Sequence, residues 1–391
     1  MAPDWTLPTL AARQRPPDPW SAGERRRGSW GSDPTSPRAP RPSDRPWVSR
    51  RRLQLFYVVI VVDLILWAAV GIAIFGHLPG HPDRPGAPGS SGTPSGPTGS
   101  SSWKIQHVVV VVLENREVND VWALGPYERY LQGQYGNATA YFALCHGSPP
   151  NYLAMTSGRA EFCGSNVSAA INVTDLPDVV EQGGLSWAGY FESMPSPCYP
   201  FSTGLYLAWH NPFLSYDDII ENPSRCASHV RPSQGFNASV RNGTLPTVSF
   251  YVPNAWDDCD NSSLIVCDHW LNDFLSPILN SSSAGTQALV AHTAFFVVYD
   301  EGTSRAGFAG PVVTPNCLQT TGKALTVCGG RVYLSVVSPY SLRTLDPNDA
   351  TFYNLESTIE WLFGLSSDGG YDGSSDFPAM ASLFTFSSNA S

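Results

Sequence analysis

Hydrophobic and polar positions alternate in two distinct ways along the chain. Residues 53–75, LQLFYVVIVVDLILWAAVGIAIF, form one apolar run in which Asp63 is the only charged residue. At 1.5 Å rise per residue this run spans a hydrocarbon core of about 30 Å with some tilt, so it predicts a transmembrane helix. Beyond residue 103 the apolar runs are short. Residues 105–113, 247–252, 293–299 and 332–337 are compact aliphatic and aromatic blocks, which predict strands buried on both faces. Between and after them, 127–131, 152–155, 268–279 and 353–363 carry the spacing of helices. Strands alternating with helices predict an α/β fold with a mostly parallel sheet covered on both sides. In such sheets the chemistry lies at the carboxyl ends of the strands. No internal repeat breaks this pattern.

Charge and composition set the topology. Residues 1–52 hold eleven Arg and five acids, a net +6 in a chain whose total is −10. This arm is rich in Pro, Ser and Gly and too poor in aliphatics to offset its ordering entropy, so disorder is expected. Arg50, Arg51 and Arg52 precede the apolar run directly, which by the positive-inside rule keeps that end cytoplasmic and exports the rest. A cleaved signal peptide is the alternative. The long arm, the full spanning length and the lack of a clear small-residue cleavage site favour a retained single-pass anchor. Asp63 reads as a tolerated acid or as a contact with a partner helix. Residues 76–102 are a Pro/Gly/Ser linker whose end-to-end distance is roughly 30 Å. Residues 103–391 are expected to form one catalytic-size domain with a sizeable core. Its sparse, acidic charge argues against nucleic acid as a partner.

All eight Cys follow the apolar run, as disulfides in an exported domain would require. Cys259 with Cys267 and Cys317 with Cys328 suit local pairs, but eight Cys allow 105 connectivities. No Cys-x-x-Cys occurs, so a zinc ribbon is not expected. Eight Asn-x-Ser/Thr sequons, from Asn137 to Asn389, fit a glycosylated surface protein.

Three clusters carry candidate chemistry. Two apolar strands end in acids, Glu114-Asn115 and Asp300-Glu301-Gly302, a plausible platform for a hard cation. Acids also simply mark solvated loop starts. Ser148 lies in His146-Gly147-Ser148-Pro149-Pro150-Asn151-Tyr152, at a turn before a helix. Its hydroxyl there can face a metal and a phosphate, with Asn151 donating to a phosphoryl oxygen. The bland alternative is a stiff loop with Ser148 as a helix cap. The third cluster, Pro253-Asn254-Ala255-Trp256-Asp257-Asp258-Cys259-Asp260, offers three carboxylates and an amide, or merely a solvated loop.

Taken in order, these segments resemble the phosphoesterase family that contains bacterial acid phosphatases and phospholipases C. The matching residues are Glu114-Asn115, Ser148-Pro149-Pro150-Asn151-Tyr152, Trp187 with Tyr190 and Glu192, His210-Asn211-Pro212-Phe213, Pro253-Asn254 with Asp258, and Asp300-Glu301-Gly302. Ser338-Pro339 and the segment from Ile359-Glu360 to Gly364-Leu365 also fit. The resemblance implies an alkaline-phosphatase-like three-layer sandwich. It implies Ser148 as nucleophile, Asn151 as a phosphate-binding amide, and Glu114, Asn115, Ser148, Asp300 and Glu301 as ligands of a divalent metal. Asp260 and Phe352 stand where relatives often carry His, so one firm metal is expected rather than two. His210 is then expected to bind phosphate or protonate the leaving oxygen. Asn254, Asp258 and Asp260 would line the substrate side, and Trp187 and Tyr190 the core or pocket wall.

The expected function is metal-dependent hydrolysis of phosphate esters through a phosphoserine, by an exported domain tethered to a membrane. The partner would be a small phosphate ester or a lipid head group. A phospholipase C-like phosphodiesterase is an alternative, and so is a non-catalytic surface glycoprotein that keeps the fold. A sulfatase would need Arg after its Ser-x-Pro or Cys-x-Pro motif, and neither Ser148-Pro149-Pro150-Asn151-Tyr152 nor Cys198-Tyr199-Pro200-Phe201-Ser202 supplies it.

Overall fold

The computed structural model describes residues 105–159, 162–164, 170–310, 314, 317 and 325–385. They all fall in the second of two compact units, Ser100–Ser391. The arm at 1–52, the expected span at 53–75 and the linker at 76–102 lie outside the described residues. Among the described residues no helix is long and apolar enough to cross a membrane.

The valine run becomes the central strand. Strand β1 (His107–Leu113) pairs in parallel with β5 (Val248–Val252) on one side and β6 (Thr293–Tyr299) on the other. Val108 to Leu113 have no exposed surface, so both faces of the strand are covered. Burying each such side chain is worth about 1.5–3 kcal/mol, and β-branched residues fit this pleated surface. The sheet has eight strands in the order β4-β3-β5-β1-β6-β7-β2-β8. It also includes β2 (Gly136–Ala138), β3 (Trp187–Phe191), β4 (Val230–Pro232), β7 (Leu334–Val337) and β8 (Leu345–Asp346). Only β7 runs against its neighbours, so the sheet is mostly parallel, as the alternation of elements predicts.

The helices pack in two groups. One joins α1 (Val118–Leu124), α2 (Pro126–Gln134) and α8 (Leu264–Leu279). The other joins α3 (Ser148–Ser157) to α10 (Phe352–Phe363). With a sheet buried on both faces, this arrangement is α/β. The N-terminus of α2 is satisfied from outside, because the Asp268 carboxylate of α8 accepts the Tyr127 and Glu128 amides at 2.9 Å. Expected element edges shift by a few residues. Val332 donates its amide to Tyr141 in a loop and does not join the ladder, so β7 begins at Leu334.

Four disulfides pair Cys145 with Cys163, Cys198 with Cys226, Cys259 with Cys267 and Cys317 with Cys328. Both local pairs expected from the sequence are among them. The sequon at Asn137 differs from a surface acceptor: it lies on β2, is buried, and its Oδ1 accepts a 2.6 Å hydrogen bond from Gln132. Asn172, Asn237, Asn242, Asn261 and Asn280 are exposed. Phe352 is fully buried against Tyr141 and belongs to the core. Trp187 and Tyr190 are buried strand residues.

Candidate active site

Parallel strands bring their carboxyl ends to one edge of the sheet, and there the acids meet. Glu114 follows β1, Glu192 follows β3, the Asn254–Asp260 turn follows β5 and Asp300 follows β6. Backbone bonds stitch three of these ends together. Glu114 N donates to Asp258 O at 2.8 Å, and Asp300 N donates to Leu113 O at 2.9 Å. Arg116 adds side-chain bonds to the carbonyls of Asn115, Cys259 and Ser262, at 2.7–2.9 Å. Asn115 takes a left-handed backbone, φ 59°, which Asn tolerates better than most residues. Its amide donates to Asp300 Oδ1 at 3.0 Å.

Ser148 opens α3 behind Gly147, whose φ of 103° suits glycine. The turn is held from both sides. Glu301 Oε2 accepts Gly147 N at 2.8 Å and lies 2.8 Å from His146 Nδ1. Asn151 donates to Cys145 O at 2.7 Å and to Gly147 O at 3.0 Å, and its Oδ1 accepts Cys145 N. The Ser148 hydroxyl is therefore free of capping duty and donates to Glu114 Oε2 at 3.0 Å. The residue is half-buried.

Glu114 is the hub. Tyr152 OH donates to its Oε1 at 2.6 Å, Asn115 Nδ2 donates to its Oε2 at 3.1 Å, and His210 Nε2 lies 3.5 Å from Oε1. His210 Nδ1 is 3.3 Å from Asp258 Oδ2, and its ring stacks on Tyr152 with centroids 5.5 Å apart. Burial, then the charges of Asp300 and Asp258, push the Glu114 carboxyl well above its ordinary range. Burial and Glu301 push Asp300 up to about 7, and burial also raises Asp258.

These carboxylates fit a divalent cation. Glu114, His210 and Asp258 offer ligand atoms within 4.8 Å of one another, all from buried side chains. Asp300 Oδ2 is buried without a hydrogen-bond donor, and Asp258 Oδ2 has only His210 Nδ1 beside it, at 3.3 Å. Acids that are crowded, buried and short of donors are the donor set a metal ion would neutralise.

The structure thus brings Glu114, Asn115, Ser148 and Asp300 together, and adds Asp258 and His210 to the same carboxylate rather than setting them on a separate substrate side. It places others differently from the sequence expectation. The Glu301 side chain turns to the Ser148 turn. Both Asn151 amide protons are taken by carbonyls, which makes it a loop clip with no donor to spare. Asn254 donates to Glu192 and Asp257 and accepts two backbone amides, so it braces its own turn. Asp260 is exposed, beside Asn115 Nδ2 at 3.3 Å, and donates its amide to Asp258 Oδ1. Helix α3 offers few amides for an anion, because Pro149 and Pro150 remove two donors from its first turn. Sequence reasoning missed the contacts of Tyr152 and His146. Their partners are 38 and 155 residues away, and no local spacing signals them.

Comparison with known proteins identifies the family. A protein named "Probable acid phosphatase" from Kluyveromyces lactis is 30% identical over 197 residues, covering 47% of this chain and 46% of its own length. A "Phosphate-repressible acid phosphatase" from Penicillium chrysogenum is 26% identical over 243 residues, covering 60% of this chain and 53% of its own. The chain therefore spans about half the length of these two relatives. A "Phosphatidylinositol-3-phosphatase" from Mycobacterium tuberculosis is 28% identical over 274 residues, 67% of this chain and 78% of that protein. A solved protein of the alkaline phosphatase superfamily from Vibrio parahaemolyticus is 12% identical, with a TM-score of 0.45 over 67% of each chain. The Phosphoesterase family matches residues 126–366, which take in the Ser148 helix, the Asp258 turn and the Asp300 strand end. On that match over more than half its length, the chain belongs to the phosphoesterase family.

Proposed function

We propose that the chain hydrolyses phosphate monoesters through a phosphoserine at Ser148. The observation that carries this reading is the hydroxyl of half-buried Ser148, 3.0 Å from a buried carboxylate that two further acids and a histidine surround. Ser148 Oγ attacks phosphorus in line, an O–P bond forms, and the ester O–P bond breaks to release the alcohol. Glu114, which accepts the Ser148 hydroxyl's hydrogen bond, relays its proton to the departing alkoxide, so that the leaving group departs as the alcohol. Water then attacks the phosphoserine, releases inorganic phosphate and returns a proton to Ser148. Tyr152 and His210 hold Glu114 in place, while Glu301 and Asn151 hold the turn that presents Ser148. Glu114, His210 and Asp258, with Asp300 beside them, would hold a divalent cation. Such a cation lowers the pKa of the hydroxyl and offsets charge on the phosphoryl oxygens.

A lipid phosphate is a second reading, favoured by a specific surface. Phe201, Leu205, Trp209 and Trp256 are each 43–67% exposed, on the loops that carry His210 and Asp258. Leu205 O accepts Ala255 N at 3.0 Å, so these two loops are neighbours. Apolar side chains beside a phosphoesterase centre suit acyl chains or a bilayer surface, and an anchor at 53–75 would hold the exported domain near one.

The test is release of chromophore from p-nitrophenyl phosphate by the full chain, with and without chelator, alongside Ser148→Ala. Activity lost on chelation and in Ser148→Ala supports the proposal. Activity that survives Ser148→Ala unchanged removes Ser148 as nucleophile. No hydrolysis of any phosphate ester would leave a non-catalytic glycoprotein. Comparing vesicles of a phosphoinositide monophosphate with the soluble ester separates the two substrate classes.

A further inference from the structure

A second group of acids lies at the opposite end of α3 from Ser148. Glu356 and Glu360 sit one turn apart on α10, and Asp368 and Asp372 follow in the loop after that helix. All four are buried, at 0–6% exposure. Neither Glu356 oxygen and neither Asp372 oxygen meets a hydrogen-bond donor, and Asp368 Oδ2 also lacks one. Glu356, Asp368 and Asp372 nevertheless aim one oxygen each into a space where these atoms lie within 4.8 Å of one another.

The backbone makes room for this arrangement. Gly158, the left-handed cap of α3 at φ 58°, faces the cluster, and a Cβ there would overlap Asp372 Oδ1 and come within 3.2 Å of Glu356 Oε2. A Cβ on Gly370 would approach Asp372 Oδ1 to 2.6 Å. The loop is fixed by bonds that leave most of the carboxylate oxygens unneutralised. Tyr371 N donates to Gly158 O at 2.7 Å, Ser357 Oγ donates to Asp372 O at 2.6 Å, and Gly370 N donates to Asp368 Oδ1 at 2.7 Å.

We propose that Glu356, Asp368 and Asp372 form a structural calcium site that ties α10 to the following loop, which in turn packs on the C-terminal end of the Ser148 helix through Tyr371 N and Gly158 O. The donor set is all oxygen, which suits a hard cation. Ca²⁺–oxygen distances of 2.3–2.6 Å put opposing ligands up to roughly 5 Å apart, whereas Mg²⁺ at 2.0–2.1 Å draws them to about 4 Å. Oxygens gathered within 4.8 Å of one another are close enough to share one such ion. Burial and mutual repulsion push the Glu360 carboxyl up to about 9 and Asp368 up to about 7, as expected of acids that lack a counter-charge. This site is separate from the Glu114 cluster, and α3's ten residues set the two roughly 15 Å apart.

The experiment uses the full chain, stripped with chelator and titrated with CaCl₂ while thermal unfolding is followed. It is repeated in Glu114→Gln/Asp258→Asn, which disables the candidate active-site donors. The expected result is a rise in Tm of roughly 5–10 °C at a hundredfold excess of Ca²⁺ over its Kd, retained in that variant. Glu356→Gln/Asp372→Asn should lose the rise. With its repulsion relieved, it should melt in chelator no lower than the stripped wild type. Should that variant fail to fold, Asp368→Asn is titrated instead, with Ca²⁺ binding expected to weaken at least tenfold. A stripped wild type that shows no shift, or a shift and affinity unchanged by these substitutions, overturns the calcium site and leaves protonated acids in its place.

Discussion

Tyr152→Phe removes one oxygen from the centre and almost nothing else. The ring is 1% exposed and stacks on His210 at an interplanar angle of 9°, and phenylalanine preserves both the volume and the stacking. What disappears is the 2.6 Å hydrogen bond to Glu114 Oε1. Glu114 keeps Ser148 and Asn115 on its other oxygen, but its Oε1 is left with only the His210 nitrogen at 3.5 Å. A hydrogen bond to a charged group is worth about 1.5–3 kcal/mol, and leaving a buried acceptor short of a donor costs a similar amount. If Glu114 must be held in place to take the Ser148 proton, that energy appears in the transition state. At about 1.4 kcal/mol per tenfold, kcat should fall roughly 10- to 100-fold. KM should move much less, because the hydroxyl touches Glu114 and not the substrate. The assay is steady-state hydrolysis of p-nitrophenyl phosphate, with thermal unfolding run in parallel. A drop of a few degrees in Tm is expected from the same lost bond. A variant whose kcat stays within twofold of wild type, in a protein of unchanged Tm, would refute the claim that Glu114 needs this tether.

Other consequences follow from buried groups and exposed aromatics. Glu128 on α2 is fully buried, with Oε2 lacking a donor, and burial raises its pKa from an ordinary 4.5 to about 8 despite the Tyr299 hydrogen bond. Between those pH values the folded state holds a proton that the unfolded state has lost, so stability falls as pH rises, by at most roughly 4–5 kcal/mol. Glu128→Gln should therefore be more stable than wild type at pH 8 and nearly equal to it at pH 4. Equal pH dependence in the two proteins by denaturant titration would contradict this reading. Trp209→Ala should cut turnover of phosphoinositide vesicles at least fivefold while sparing the soluble ester. Equal losses on both substrates would assign Trp209 to the catalytic centre instead of to lipid contact.

The parts of the fold that were legible are those where a run of residues has one environment. The valines of β1 and the block that forms β6 are buried on both faces, and continuous aliphatic sequence is the signature of that burial. Strand β2 has three residues, Gly136–Ala138, and β8 has two, so neither carries a period that could be read. At the site, Glu114, Ser148 and Asp300 were legible because each follows a strand or begins a helix at the edge where a parallel sheet gathers its loops. Asn151 and Glu301 were read as reaching the substrate or a metal, because sequence does not reveal which backbone groups claim a side chain first. Glu356 and Glu360 lie i, i+4 on α10, and no local spacing links them to Asp368 and Asp372 in the loop that closes over them.

The account stands on Ser148 Oγ as the atom that takes the phosphoryl group. Rapid acid quench of the full chain during turnover, followed by peptide mass spectrometry, reads that atom directly. The prediction is one added phosphoryl group on the peptide carrying Ser148-Pro149-Pro150-Asn151, absent in Ser148→Ala. Turnover with no phosphorylated enzyme under any quench condition, or with the label on another residue, would contradict it.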